Sequence, residues 1–240
     1  MTPLATTARR GILAAVALAV ILCGRAAGAA ADTVTIRTED GATLVATLHL
    51  PSRQPAPGVV LVHMQGRTRR DWEGFASRLA SAGFVALAID LRGYGESPGA
   101  PAGPTTGVAD VRASVRYLLG RRDIVNGAIG IAGGSMGANL ALVAAGAEPV
   151  VRSLALLSPG MDILGVRIEP ALRDYTLRPI LLLASRDDHY AVRSCGIIVG
   201  QGSGVREFQM VEGTAHGTVM LSRNPDTADT LLDWFRRTLL

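Results

Sequence analysis

Lysine is absent: all 24 basic residues are arginine, set against 20 acidic ones. We read this as a compositional bias of the source rather than as chemistry. Cysteine is nearly absent too, with only Cys23 and Cys195, and Cys23 falls in a segment expected to be removed. A single remaining thiol excludes an internal disulfide, although an oxidising compartment stays compatible with the chain. Histidine occurs four times, and no His/Cys cluster has metal-ligand spacing, so no metal or other cofactor is implied. There is no internal repeat, and no low-complexity tract beyond an N-terminal alanine run.

That N-terminal segment carries its own signal. Arg9-Arg10 precede an apolar stretch from Gly11 to Cys23, and small residues follow up to Ala31. A positive n-region, a short apolar core and an A-x-A site form a cleavable secretory signal. Ala29-Ala30-Ala31 before Asp32 is the preferred cleavage point, with Ala27-Gly28-Ala29 as the alternative. The core is shorter than the roughly 20 residues of a membrane-spanning helix. The expectation is therefore a leader over residues 1–31 and a domain over 32–240, exported to the periplasm or secreted, with no stable membrane insertion after cleavage. An uncleaved anchor is the alternative. Arg9-Arg10-Gly11-Ile12-Leu13 also resembles a twin-arginine export signal. Leu22 before Cys23 is bulky where lipoprotein signals resemble one another in having Gly, Ala or Ser, which argues against lipidation.

Removing residues 1–31 takes away three arginines and no acid, so the formal charge falls from +4 to +1. No electrostatic footprint for nucleic acid remains. The rest of the chain is long enough for one α/β domain and too short for two. Val34–Thr38 and Thr43–Leu50 flank an Asp40-Gly41 turn and read as a hairpin. Apolar runs follow at Gly58–His63, Phe84–Asp90, Ala128–Ala132, Ser153–Leu157, Ile180–Ala184 and Arg206–Val211. Helical stretches lie between or after them, among them Trp72–Ala82, Thr106–Leu119, Ser135–Ala145 and Pro225–Leu240. Continuous apolar strands alternating with helices predict an eight-stranded, mostly parallel sheet covered on both faces. Ligands in such sheets bind beyond the carboxyl ends of the strands.

One such end reads Gly133-Gly134-Ser135-Met136-Gly137, the G-x-S-x-G of a nucleophile elbow. Ser135 is thus the candidate nucleophile. A serine hydroxyl needs a base, itself oriented by an acid. His49 lies inside the second strand and is expected at solvent or at an edge; His63 ends the third strand, and His189 sits in a loop. His216, in Gly213-Thr214-Ala215-His216-Gly217 after the last strand, fits the order Ser, acid, His and is the candidate base. For the acid, Asp187 after Ile180–Ala184 is preferred. Asp188 then reads as a turn or capping residue, and Asp162 is a third candidate.

With these residues in view, the chain resembles an α/β-hydrolase, and is similar to the small, lid-poor dienelactone-hydrolase-like group. Beyond the elbow, the resemblance rests on Asp90-Leu91-Arg92-Gly93-Tyr94-Gly95-Glu96-Ser97 and on Leu61–Gly66 followed by Asp71-Trp72. It covers the chain from about Thr33 onward. It implies an α/β-hydrolase fold and an oxyanion hole built from the backbone N–H groups of Met136 and Met64. Met64 stands where the group more usually has glycine, which should narrow or grease the site. Serine replaces the cysteine of the dienelactone hydrolases proper, which favours plain ester hydrolysis over lactone opening.

The 22 residues between Leu157 and Ile180 carry little apolar helical pattern, so no large lid is expected. An open site lined by Met64, Met136, Met161 and Tyr190 suits small or medium soluble esters, with Met161 and Tyr190 as candidate substrate-binding residues. A serine peptidase or amidase, a lactone hydrolase and a non-catalytic binding protein on the same fold are the competing readings. Arg67, Arg69 and Arg70 read as a solvated loop face rather than an anion site. Trp72 and Phe75 read as core, Asp90 and Arg92 as holding their loop together.

Overall fold

The computed structural model describes residues 31–201 and 203–240; the expected leader lies outside them apart from Ala31, so that the preferred cleavage point falls at their first bond. Strands β1 (Ala31–Arg37) and β2 (Thr43–His49) form the expected antiparallel hairpin. Then come β3 (Ala56–Val62), β4 (Val85–Ile89), β5 (Ile124–Gly134), β6 (Val151–Leu157), β9 (Ile180–Ser185) and β10 (Arg206–Val211). These eight strands make one sheet in the order β1-β2-β4-β3-β5-β6-β9-β10. Strand β2 pairs antiparallel with both neighbours, and every pair from β4–β3 to β9–β10 is parallel.

The continuous apolar runs have a simple cause, because both faces of the central strands are covered. Along β3, Val60 and Val62 join the core under helices α2 (Pro104–Leu119) and α3 (Met136–Ala147). Val59 and Leu61 face the opposite layer, with Trp72, Phe75 and helices α1 (Glu73–Ser81) and α7 (Asp226–Leu239), the latter preceded by the one-turn α6 (Met220–Arg223). Alternate residues of a strand point to opposite faces, so a strand covered on both sides is apolar throughout. Helix α7 buries Leu231, Trp234 and Phe235 completely. Such side chains contribute about 1.5–3 kcal/mol each relative to exposure. Gly130 of β5 leaves the space that Phe235 fills, since a Cβ there would lie 2.8 Å from its ring.

Between β6 and β9 the chain forms a small hairpin, β7 (Asp162–Ile163) with β8 (Val166–Arg167), and helix α4 (Glu169–Tyr175). Helix α4 lies on α3, where Ala171 comes so near Gly146 that a Cβ there would be 3.3 Å away. The insert is packed down and forms no large lid. Helix α5 (His189–Gln201) follows β9, so His189 opens a helix rather than sitting in a loop. Glycines at 196 and 200 and the run Ile197-Ile198-Val199 hide this helix from propensity. Packing of Ala191, Cys195 and Ile198 into the core holds it.

Two local expectations change. His49 is buried, because α1 packs over that face of β2, and its Nε2 sits 3.3 Å from Glu73 Oε1 of that helix. Arg69 is buried too, not solvated. It ion-pairs with the fully buried Asp90, whose carboxylate also accepts the Arg69 amide at 2.7 Å and the Glu96 amide at 2.9 Å. Arg67 and Arg70 are the exposed members of that trio. Arg92 spans Asp110 and Asp40 and so does hold its loop in place. Gly95, at φ 55°, is needed because any Cβ there would overlap the Asp90 carboxylate.

Candidate active site

Ser135 sits between β5 and α3 at φ 49°, ψ −116°, a conformation that costs a non-glycine residue of order 1–3 kcal/mol. The neighbouring glycines make the turn sterically feasible. A Cβ on Gly133 would overlap the Gly137 carbonyl, and one on Gly137 would overlap the ends of β3 at Val62 and His63. The Ser135 amide donates to the Leu157 carbonyl of β6 at 2.8 Å, which anchors the turn to the sheet edge. Helix α3 leaves at once and ends before Pro149, a residue that disfavours continued helix at Glu148.

His216 follows β10 and reaches back across the sheet edge. Its Nε2 lies 2.7 Å from Ser135 Oγ. Its Nδ1 lies 2.6 Å from Oδ2 of Asp188, not of Asp187. The reason is the turn after β9. The Asp188 amide donates to the Ser185 carbonyl at 3.0 Å, closing a turn whose exposed members are Arg186 and Asp187. Asp188 alone is drawn back, with its side chain 14% exposed against 42% for His216. The capping role read for Asp188 is also present, through Oδ1 and the Ala191 amide at 3.2 Å. Asp162 instead bonds within its own hairpin, accepting the Gly165 amide at 2.8 Å.

A serine hydroxyl on one imidazole nitrogen and a carboxylate on the other is an arrangement that can move a proton from oxygen to nitrogen. Met136 is the first residue of α3, and Met64 lies just beyond β3. Neither amide N–H has a hydrogen-bond partner among the described residues. The Met64 thioether packs beside Gly217, where a Cβ would be 2.9 Å from Sδ and 3.5 Å from Ser135 Cβ. A groove of about 540 Å³ borders His216 on its own loop, lined further by Gly213, Thr214, Val219 and Arg223 among others.

Tyr190 and Met161 tie the insert after β6 to α5. The Tyr190 hydroxyl donates to the Asp162 carbonyl at 2.9 Å and accepts the Asp162 amide at 3.1 Å. Met161 is half-buried against the core, and its amide meets Ser194 Oγ at 3.3 Å. Cys195 is buried, and burial together with the nearby charge of Asp188 pushes its thiol up to about 12. His63 is a fully buried strut. Its Nε2 accepts the Leu91 amide at 3.0 Å, so Nδ1 must carry the proton that it donates to the Met64 carbonyl at 2.8 Å.

Residues 57–177 match the alpha/beta hydrolase fold family, and the chain belongs to it. The structure is similar to an esterase from Pyrococcus furiosus at 17% identity and TM-score 0.75, covering 88% of this chain and 92% of that one. It is similar also to a dienelactone hydrolase from Anabaena variabilis at 18% identity and TM-score 0.71, covering 89% and 100% respectively. Protein ABHD14A of Danio rerio is 52% identical over 46 residues, a match spanning 18% of this chain and 17% of the relative.

Proposed function

We propose that this protein is a serine hydrolase that cleaves carboxylic esters of small or medium soluble substrates through an acyl-enzyme. The observation that carries the reading is the unbroken hydrogen-bonded series from Ser135 Oγ through His216 to Asp188. His216 Nε2 takes the hydroxyl proton as Ser135 attacks the ester carbonyl, then returns it to the departing alcohol. Asp188 holds the proton on Nδ1 and stabilises the imidazolium. The free amides of Met136 and Met64 receive the developing oxyanion; one such donor is typically worth about 3–4 kcal/mol. Water then repeats the sequence on the acyl-enzyme. The low-lying α4, the half-exposed His216 and the apolar Met64 favour an open site for small esters, with Met161 and the Tyr190 ring as further apolar surface.

The test is hydrolysis of p-nitrophenyl acetate and butyrate beside a peptide anilide, with Ser135→Ala as control. Ester cleavage lost in the variant supports the reading. Cleavage of the anilide alone would replace it with a peptidase. Export by way of residues 1–31 is part of the same proposal, supported by the Arg9-Arg10, Gly11–Cys23 and Ala29–Ala31 pattern. N-terminal sequencing of the mature protein tests it.

A further inference from the structure

The loop that carries His216 is held by side chains from three other places in the fold. Ser185, at the end of β9, donates to the Ala215 carbonyl. Asp71, just before α1, accepts from the Thr218 hydroxyl. Between these two, the Gly217 amide donates to Ser158 Oγ at 3.1 Å. Gly217 is the residue after the proposed base, and it packs against Ser135 itself. A small displacement of its backbone therefore moves the imidazole relative to the hydroxyl that it must deprotonate.

Ser158 is unusual in its own right. It is 1% exposed, lies directly after β6, and adopts φ 49°, in the left-handed region that favours glycine. Its amide is fixed to the Leu183 carbonyl of β9 at 2.7 Å. The loop that follows is fixed to α3, where Asn139 accepts the Gly160 amide at 3.1 Å and donates to the Gly160 and Val166 carbonyls at 2.8 Å. Beyond it, Met161 and Asp162 bond to Ser194 and Tyr190 of α5, the helix that Asp188 caps. This one loop thus touches the elements carrying Ser135, His216 and Asp188. From this geometry we propose that Ser158 is a positioning residue that sets His216 against Ser135 through the Gly217 amide. The proposal rests on the serine-hydrolase reading above.

Ser158→Gly separates the two properties of the residue. Glycine accepts the positive φ without cost but offers no acceptor to Gly217. Relief of the backbone cost offsets the lost hydrogen bond to the buried Gly217 amide, so the variant is expected to unfold near the wild-type temperature. Its Gly217 amide exchanges with solvent about tenfold faster, and its kcat for p-nitrophenyl butyrate falls about tenfold with KM changed less than about twofold. Ser158→Ala keeps the backbone cost and should show the same kcat loss with a lower melting temperature; it is read by the same measurements if the glycine variant does not fold. Wild-type kcat in either folded variant overturns the proposal, as does a kcat loss with unchanged Gly217 exchange. An inactive wild-type protein instead removes the serine-hydrolase reading, and the proposal with it.

Discussion

Asp188 uses its two carboxylate oxygens for different purposes, one on His216 Nδ1 at 2.6 Å and the other on the first turn of α5 at Ala191. The residue that starts the helix is the one that faces the imidazole. Its neighbour Asp187 is exposed at the tip of the turn.

This relationship gives the sharpest test of the site. Asp188→Asn should lower kcat/KM for a p-nitrophenyl ester by about 10⁴, because an amide cannot hold the productive tautomer. Asp187→Asn should stay within about twofold of wild type, as for a solvated surface group. Equal losses in the two variants would refute the assignment.

Opposite effects are expected for two glycine-to-alanine changes, one in the elbow and one in α5. At Gly137 a Cβ overlaps the end of β3, so Gly137→Ala should destabilise by about 1–3 kcal/mol or more in urea denaturation and impair hydrolysis. Gly196 lies within α5 with nothing within 4 Å of an added Cβ. Gly196→Ala should therefore gain up to about 1 kcal/mol of helix propensity.

Arg69 and its exposed neighbours should behave differently. Arg69→Leu strands the buried Asp90 carboxylate and should cost about 3–5 kcal/mol. Arg70→Ala removes only a 3.6 Å surface contact with Glu96 and should change stability by less than about 1 kcal/mol. Denaturant titration of the two variants checks the difference.

His63 should make stability depend on pH. Burial, the dominant influence, holds its folded value below the ordinary 6.5. In the unfolded chain it protonates near that ordinary value, so below it the unfolded state binds more protons. Its contribution is thus complete above about pH 6.5 and is lost as pH falls toward the folded value. Urea midpoints should decline over that interval. A His63 ring signal that titrates at the ordinary value in the folded protein would contradict this.

Much of this protein was determined by local sequence alone. The glycines around Ser135 and the paired apolar strands and helices follow from short-range sterics and periodicity, and the order of serine and histidine matches the pattern of the resembled fold. They suffice for the sheet, the elbow and the position of His216. Tertiary structure decided what depends on distant partners. Asp188 rather than Asp187 meets His216 because a turn closed on Ser185 meets a loop 28 residues further along. Arg69 is buried because Asp90 waits beneath it, and His49 because α1 packs over that face of its strand. Adjacent residues of the same type carry no mark of which way they face; only the backbone path and the charge already buried at its end make that choice.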